Sequence, residues 1–152
     1  MVPQNSVPMS RAIGYAPLTK QRSMPVMQPF ERLEAWKVSH QLALTIYRTT
    51  ELFPRQELYG VTSQARRAAF SIPANLAEGS TKRGPAEFRR FLDISLGSLA
   101  ELAYVLIFVR DRGLVSPEEW QELEKLRRRA AFLVWRLYDS LRRSLKRKSG
   151  ER

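Results

Sequence analysis

Past Phe30 the chain holds four prolines, and three of them, Pro54, Pro85 and Pro117, stand at breaks between long apolar-periodic runs. A proline ring removes a backbone donor and blocks a helix interior, so these positions limit where helices can begin and end. Phe53-Pro54 closes a run in which Leu33, Trp36, Leu42–Leu44, Ile46 and Tyr47 recur at three- and four-residue steps. A second helical run reads from about Leu58 to Glu78, with Gly79 as its terminator. Gly84-Pro85 opens a third, with proline at the first helical position, and Gly113 stops it after Arg112. Ser116-Pro117-Glu118-Glu119 opens the fourth. Ser116 is the N-cap, Glu119 completes a capping box, and Val115 and Trp120 are spaced as a hydrophobic staple.

Four such runs joined by loops of about 3–6 residues predict an all-α, antiparallel up-down-up-down four-helix bundle. The spacing places it over residues 30–148, with a short tail at 149–152. Residues 1–29 carry five of the nine prolines and no apolar period, which predicts a disordered Pro-rich arm. The arm lacks the apolar stretch of a secretory signal, so the expected location is cytoplasmic. Met24 and Met27 leave the natural start open.

The chain has no cysteine and one histidine, His40. That excludes a disulfide framework, a thiol nucleophile, Cys-ligated zinc and a multi-His metal site. No catalytic residue, metal, cofactor or small-molecule substrate is expected. Lys and Arg number 26 against 15 Asp and Glu, a formal net charge of +11. The excess is concentrated: from Lys125 onward eleven basic groups face only Asp139 and Glu151. A cationic surface of this kind attracts polyanions such as nucleic acid.

In the third run, Ile94 to Val109 is apolar on nearly every side. It is shorter than the roughly 20 residues of a membrane span and contains Glu101, so no membrane role is expected. A helix apolar all round is otherwise buried all round. In the fourth run Ala130, Val134, Leu137, Leu141 and Leu145 form a core stripe, and Phe132, Trp135 and Tyr138 lie off it. Together with Tyr104 and Phe108, these aromatics are candidates for a homo-oligomer interface. A broad core within one copy is their alternative home.

Arg129, Arg136, Arg143 and Arg147 form a basic line roughly opposite that stripe, and Arg128, Arg142, Lys146 and Lys148 flank it. These eight are the expected nucleic-acid surface, acting through phosphate contacts without sequence preference. No aromatic alternates with the cations as a stacking platform would require. Ser80, Thr81, Lys82 and Arg83, just before the third helix, are a candidate anion site, with a plain polar turn as the alternative. Pro73 stands inside the second helix and should kink it. Asn75 and Glu78 follow on one face, where they either serve the kink and the helix end or hold a ligand or a neighbouring subunit's Arg.

Several motifs occur in a fixed order: Phe53-Pro54, Glu57-Leu58-Tyr59-Gly60, the stretch Arg66 to Gly79, Glu87-Phe88-Arg89-Arg90-Phe91-Leu92, and Gly97-Ser98-Leu99-Ala100-Glu101-Leu102. In this the chain resembles, over about residues 30–140, the bacterial four-helix-bundle proteins encoded within intervening sequences of 23S ribosomal RNA genes. It is more distantly similar to the accessory protein of diversity-generating retroelements. The first resemblance implies a cytoplasmic bundle that assembles as a ring-like homopentamer without known enzymatic activity. The second implies nucleic acid and a reverse transcriptase as partners. The expected function is a non-enzymatic homo-oligomer that binds nucleic acid, RNA in the first instance. The rival is an interaction module whose basic surface docks an acidic protein such as a retroelement reverse transcriptase.

Overall fold

The computed structural model describes residues 26–150. The expected arm therefore falls outside the described residues except at its end, where Pro29–Arg32 form a 3₁₀ turn. Glu31 anchors that turn by accepting a hydrogen bond from the Gln28 N–H. Four α-helices follow, α1 (Glu34–Glu51), α2 (Val61–Ser80), α3 (Pro85–Asp111) and α4 (Pro117–Gly150), and no strand occurs among the described residues. The expected tail begins inside α4, since Ser149 and Gly150 are helical.

Each helix turns one stripe inward. Ala35, Val38, Leu42 and Ile46 of α1 meet Ala65, Ala68, Ala69, Ile72 and Leu76 of α2, Leu92, Leu99, Leu102 and Leu106 of α3, and Leu123, Ala130 and Val134 of α4. The three- and four-residue steps are those of an amphipathic helix, and burying this stripe supplies most of the stability. Pairs between α2 and α3 run in opposite chain order, Arg67 with Glu101, Ser71 with Ser98, and Gly79 with Phe88 and Phe91. The pairs Arg110–Trp120 and Arg89–Tyr138 do the same between α3 and α4.

Some buried polar groups are tied within and across the helices, while Ser39 Oγ, Thr62 Oγ1 and Trp120 Nε1 have no partner among the described residues. The Thr50 hydroxyl donates to the Ile46 carbonyl at 2.8 Å and accepts from Arg66 Nε at 2.8 Å, joining α1 to α2. Ser95 donates to the Ile72 carbonyl at 3.0 Å, and Asn75 Nδ2 donates to the Ser71 carbonyl at 2.8 Å. Both acceptors lie next to Pro73, through which α2 continues unbroken. Asn75 is thus occupied in serving the backbone beside the proline.

Three expectations need correction. The α1–α2 connection is nine residues long, 52–60, rather than three to six, because a 3₁₀ turn at Arg55–Glu57 is inserted in it. Gly79 does not end α2, which runs to Ser80 with Thr81 as its C-cap. Its role is close approach. A Cβ at Gly79 would lie 2.7 Å from Phe88 Cδ2 and 2.8 Å from Phe91 Cβ, so only glycine lets these two rings seat on the helix. Lastly, α3 is not buried all round. By length and composition it could cross a membrane, a test that the core helix of a bundle also passes. Its inner side packs in the core, while Ile94, Tyr104, Ile107 and Phe108 face outward.

The punctuation at the other boundaries is as read. Gly84 and Gly113 have φ of +95° and +67°, conformations that side chains with a Cβ rarely adopt. The Ser116 hydroxyl accepts from the Glu119 N–H at 3.1 Å, and the Glu119 carboxylate accepts from the Ser116 N–H at 2.8 Å. Val115 is buried and Trp120 half-buried beside this cap, with Arg110 stacked over the indole at 4.9 Å. The 34 residues of α4 exceed the 18 of α1, an excess of about 24 Å at 1.5 Å per residue. No residue beyond Asp139 is buried, so the basic end of α4 outruns the bundle.

Two glycines should respond to alanine with opposite signs. Gly79→Ala should destabilise by about 2 kcal/mol through overpacking. Gly97→Ala, where an added Cβ meets nothing within 4 Å on the exposed side of α3, should stabilise by about 0.5–1 kcal/mol through helix propensity. Urea denaturation of both variants measures the pair.

Candidate nucleic-acid interface

A helix residue is rotated about 100° from the one before it, so nine residues bring the chain to the far side. Asp139 stands nine residues after the buried Ala130 and therefore points away from the core. Phe132, Trp135, Arg136 and Arg143 share that outer side, and with Asp139, Ser140 and Arg147 they line a groove of about 480 Å³. Phe132 and Trp135 are 57% and 52% exposed. Arg136 lies over the Phe132 ring at 5.7 Å, a cation–π contact.

Asp139 is nonetheless only 5% exposed. Arg142 bonds its Oδ1 through Nε at 3.1 Å and through a terminal nitrogen at 2.7 Å, and Arg143 reaches Oδ2 at 2.6 Å. Burial pushes the carboxyl upward. The hydrogen bonds and charges of the two arginines more than offset this and hold it below its usual range. Asp139 thus stays ionised and holds Arg143 at the groove, with Arg142 paired to it from outside the lining. One turn-cluster earlier, Glu124 plays a similar part. Arg127 grips it bidentately at 2.7 Å and 2.7 Å, and Arg128 Nε adds a bond at 2.8 Å.

The eight expected cations are therefore not equivalent. Arg128 is held by Glu124, Arg129 faces Glu34 across to α1 at 3.5 Å, and Arg142 and Arg143 are held by Asp139. Lys146, Arg147 and Lys148 make no ion pair among the described residues. The continuous basic line resolves into a groove with Arg136, Arg143 and Arg147, plus the protruding end of α4. The absence of interleaved aromatics is corrected too, since Phe132 and Trp135 sit among these arginines. Spacings of three, four and seven between 132, 135, 136, 139 and 143 carried that signal, but sorting residues by type separated the aromatics from the cations.

The other candidates disperse. The Ser80 hydroxyl donates to the Ala77 carbonyl at 2.7 Å, and Thr81 donates to the Glu78 carbonyl at 2.8 Å. Lys82 pairs with Glu78 at 3.3 Å and lies over the Phe91 ring at 5.1 Å. Three of the four residues of Ser80–Arg83 thus have side chains engaged at the end of α2. Glu78 is likewise taken by Lys82. Tyr104 and Phe108 form their own pair on α3, ring centroids 6.5 Å apart. Of the five aromatics only Tyr138 joins the core, half-buried with Arg89 over its ring.

Sequence reasoning also missed a second groove, of about 430 Å³, between α1 and α2. Phe30, Trp36, Leu44, Tyr47, Phe70 and Pro73 line it together with alanines and His40, and no Lys, Arg, Asp or Glu does. His40 stacks on Trp36 at 5.0 Å and 7° between planes, a packing role.

The clasp at Glu124 has a pH signature. Bonding to Arg127 is the largest influence and lowers the carboxyl from 4.5, against the upward pull of burial. A depressed folded-state value stabilises above the unfolded value, and that stability is lost as pH falls through the folded one. Glu124→Gln should therefore cost about 1 kcal/mol at neutral pH. The two proteins should converge in denaturation experiments as pH drops below the ordinary carboxylate range.

No curated protein matches the chain. A family model described as 23S rRNA-intervening sequence protein matches residues 31–134. The match spans α1, α2, α3 and the half of α4 that packs in the core, and it stops one residue before Trp135. Matched over most of its length, the chain belongs to the 23S rRNA-intervening sequence protein family.

Proposed function

We propose that this chain is a cytoplasmic, non-enzymatic bundle that self-associates and binds nucleic acid, in the first instance RNA, through phosphate contacts on the outer face of α4. The observation that carries the reading is the convergence of Arg136, Arg143 and Arg147 on one groove beside a cationic helix end. Fixed guanidinium groups neutralise phosphates and release condensed counterions, which gives affinity without base readout. Asp139 supports this by ordering Arg142 and Arg143 before any ligand arrives.

Self-association is supported by apolar surface elsewhere. Leu44, Tyr47 and Phe70 at the α1–α2 groove, and Tyr104 and Phe108 on α3, are exposed in a single copy. Contiguous apolar patches of this kind mark interfaces. The α4 face is poorly suited to pairing with itself, because its cations would be brought together. A closed ring, five-fold as the family resemblance implies, covers the apolar faces and turns the α4 grooves outward. Repeated grooves then add weak phosphate contacts through avidity. The reading of a reverse transcriptase or other acidic protein as partner uses the same basic face and differs in its salt response.

A salt titration of binding to RNA and DNA tests the first claim. Wild type should show a steep log–log decline, and Arg136→Ala with Arg147→Ala should flatten the slope for single strands by about 1.4. A flat wild-type response, or no binding at low salt, contradicts it and favours a protein partner. Light scattering tests the second. Wild type should give a multiple of the chain mass and Phe70→Asp a smaller species, whereas a monomeric wild type retires the ring.

A further inference from the structure

The α4 groove carries more chemistry than phosphate neutralisation requires. Two large aromatic side chains stand half-exposed among arginines, at a place where apolar surface has no role in binding a sugar–phosphate backbone. They are not equivalent. Arg136 covers Phe132, whereas no ring or guanidinium among the described residues lies over Trp135. Trp135 therefore presents an open indole face at the rim of a groove whose other residues include Arg143 and Arg147. Arg136, Arg143 and Arg147 line the groove around the one carboxylate of Asp139, so two copies of this face would repel.

We infer that the α4 groove takes single-stranded nucleic acid, with an unpaired base stacked on Trp135 and the adjoining phosphates held by Arg143 and Arg147. This inference rests on the nucleic-acid reading above and narrows it to a substrate class. Every base has a π-face, so stacking is tolerant of sequence, and its combination with a cationic groove is how single strands are held. A duplex keeps its bases stacked on one another and offers Trp135 nothing. The Arg143 guanidinium held by Asp139 lines the same groove as the indole, so base and phosphate contacts fall within a few nucleotides of each other. Asp139 is a positioning residue in this arrangement. The groove volume of about 480 Å³ lies within the range of small-ligand sites.

Fluorescence anisotropy with labelled single-stranded RNA, single-stranded DNA and duplex RNA of one sequence tests this on the full chain. Trp135→Ala should weaken binding of the single strands about tenfold, leave the salt slope unchanged and leave the duplex unaffected. Trp135→Phe should keep most of the single-strand affinity, which separates loss of stacking from loss of fold. A loss confined to the RNA or the DNA arm supports the inference for that polymer. Equal effects on single strands and duplex, or none, overturn the inference while phosphate binding stands. An unchanged affinity with a reduced oligomer mass also overturns it and assigns Trp135 to an interface between copies. Absence of binding by any oligonucleotide at low salt removes the nucleic-acid reading itself.

Discussion

A helix in a four-helix bundle turns only one stripe of its surface inward, and large aromatic side chains clustered outside that stripe are where further contacts can form. This constraint governs the molecule. The inward stripes are complete, with Leu42, Ile72, Leu76, Leu92, Leu102 and Val134 fully buried. What remains outside, on α1, α2, α3 and α4, is more aromatic surface than a bundle of this size needs for its own folding. The fold is thus stable by its interior.

The exterior divides by charge. The groove between α1 and α2 is lined by aromatic and aliphatic side chains with His40 and no Lys, Arg, Asp or Glu, a surface suited to apolar contact. The outer face of α4 pairs its aromatics with arginines, and a single ionised carboxylate under two of them keeps those arginines in place. Desolvating that many cations against a neutral surface is unfavourable, whereas a polyanion compensates them. The two surfaces share no residue, one being lined from α1, α2 and the turn before them and the other from α4 alone.

The boundaries of the helices were legible where a local backbone rule decides them. The Ser116–Glu119 box, the proline at the start of α3 and the left-handed Gly113 depend on a few adjacent residues, and each stands where it was read. Features fixed by residues distant in sequence were not legible. Gly79 resembles a helix terminator until Phe88 and Phe91 are seen against it, and the side-chain bonds of Ser80, Thr81 and Lys82 back to the end of α2 could not be read from their spacing. Asp139 reads as an ordinary surface acid among basic residues, and only its two guanidinium partners reveal a shielded one. The apolar groove required two helices to be set side by side before Tyr47 and Phe70 could be recognised as parts of one surface.

The division of the exterior into a self-facing and a polyanion-facing surface is tested most directly by hydroxyl-radical footprinting of the intact protein, with and without a single-stranded oligonucleotide. Tyr47 and Phe70 should already be protected in the protein alone, while Phe132 and Trp135 react and become protected only when the strand is added. Reactive Tyr47 and Phe70 beside a Trp135 that is protected from the outset would contradict the account.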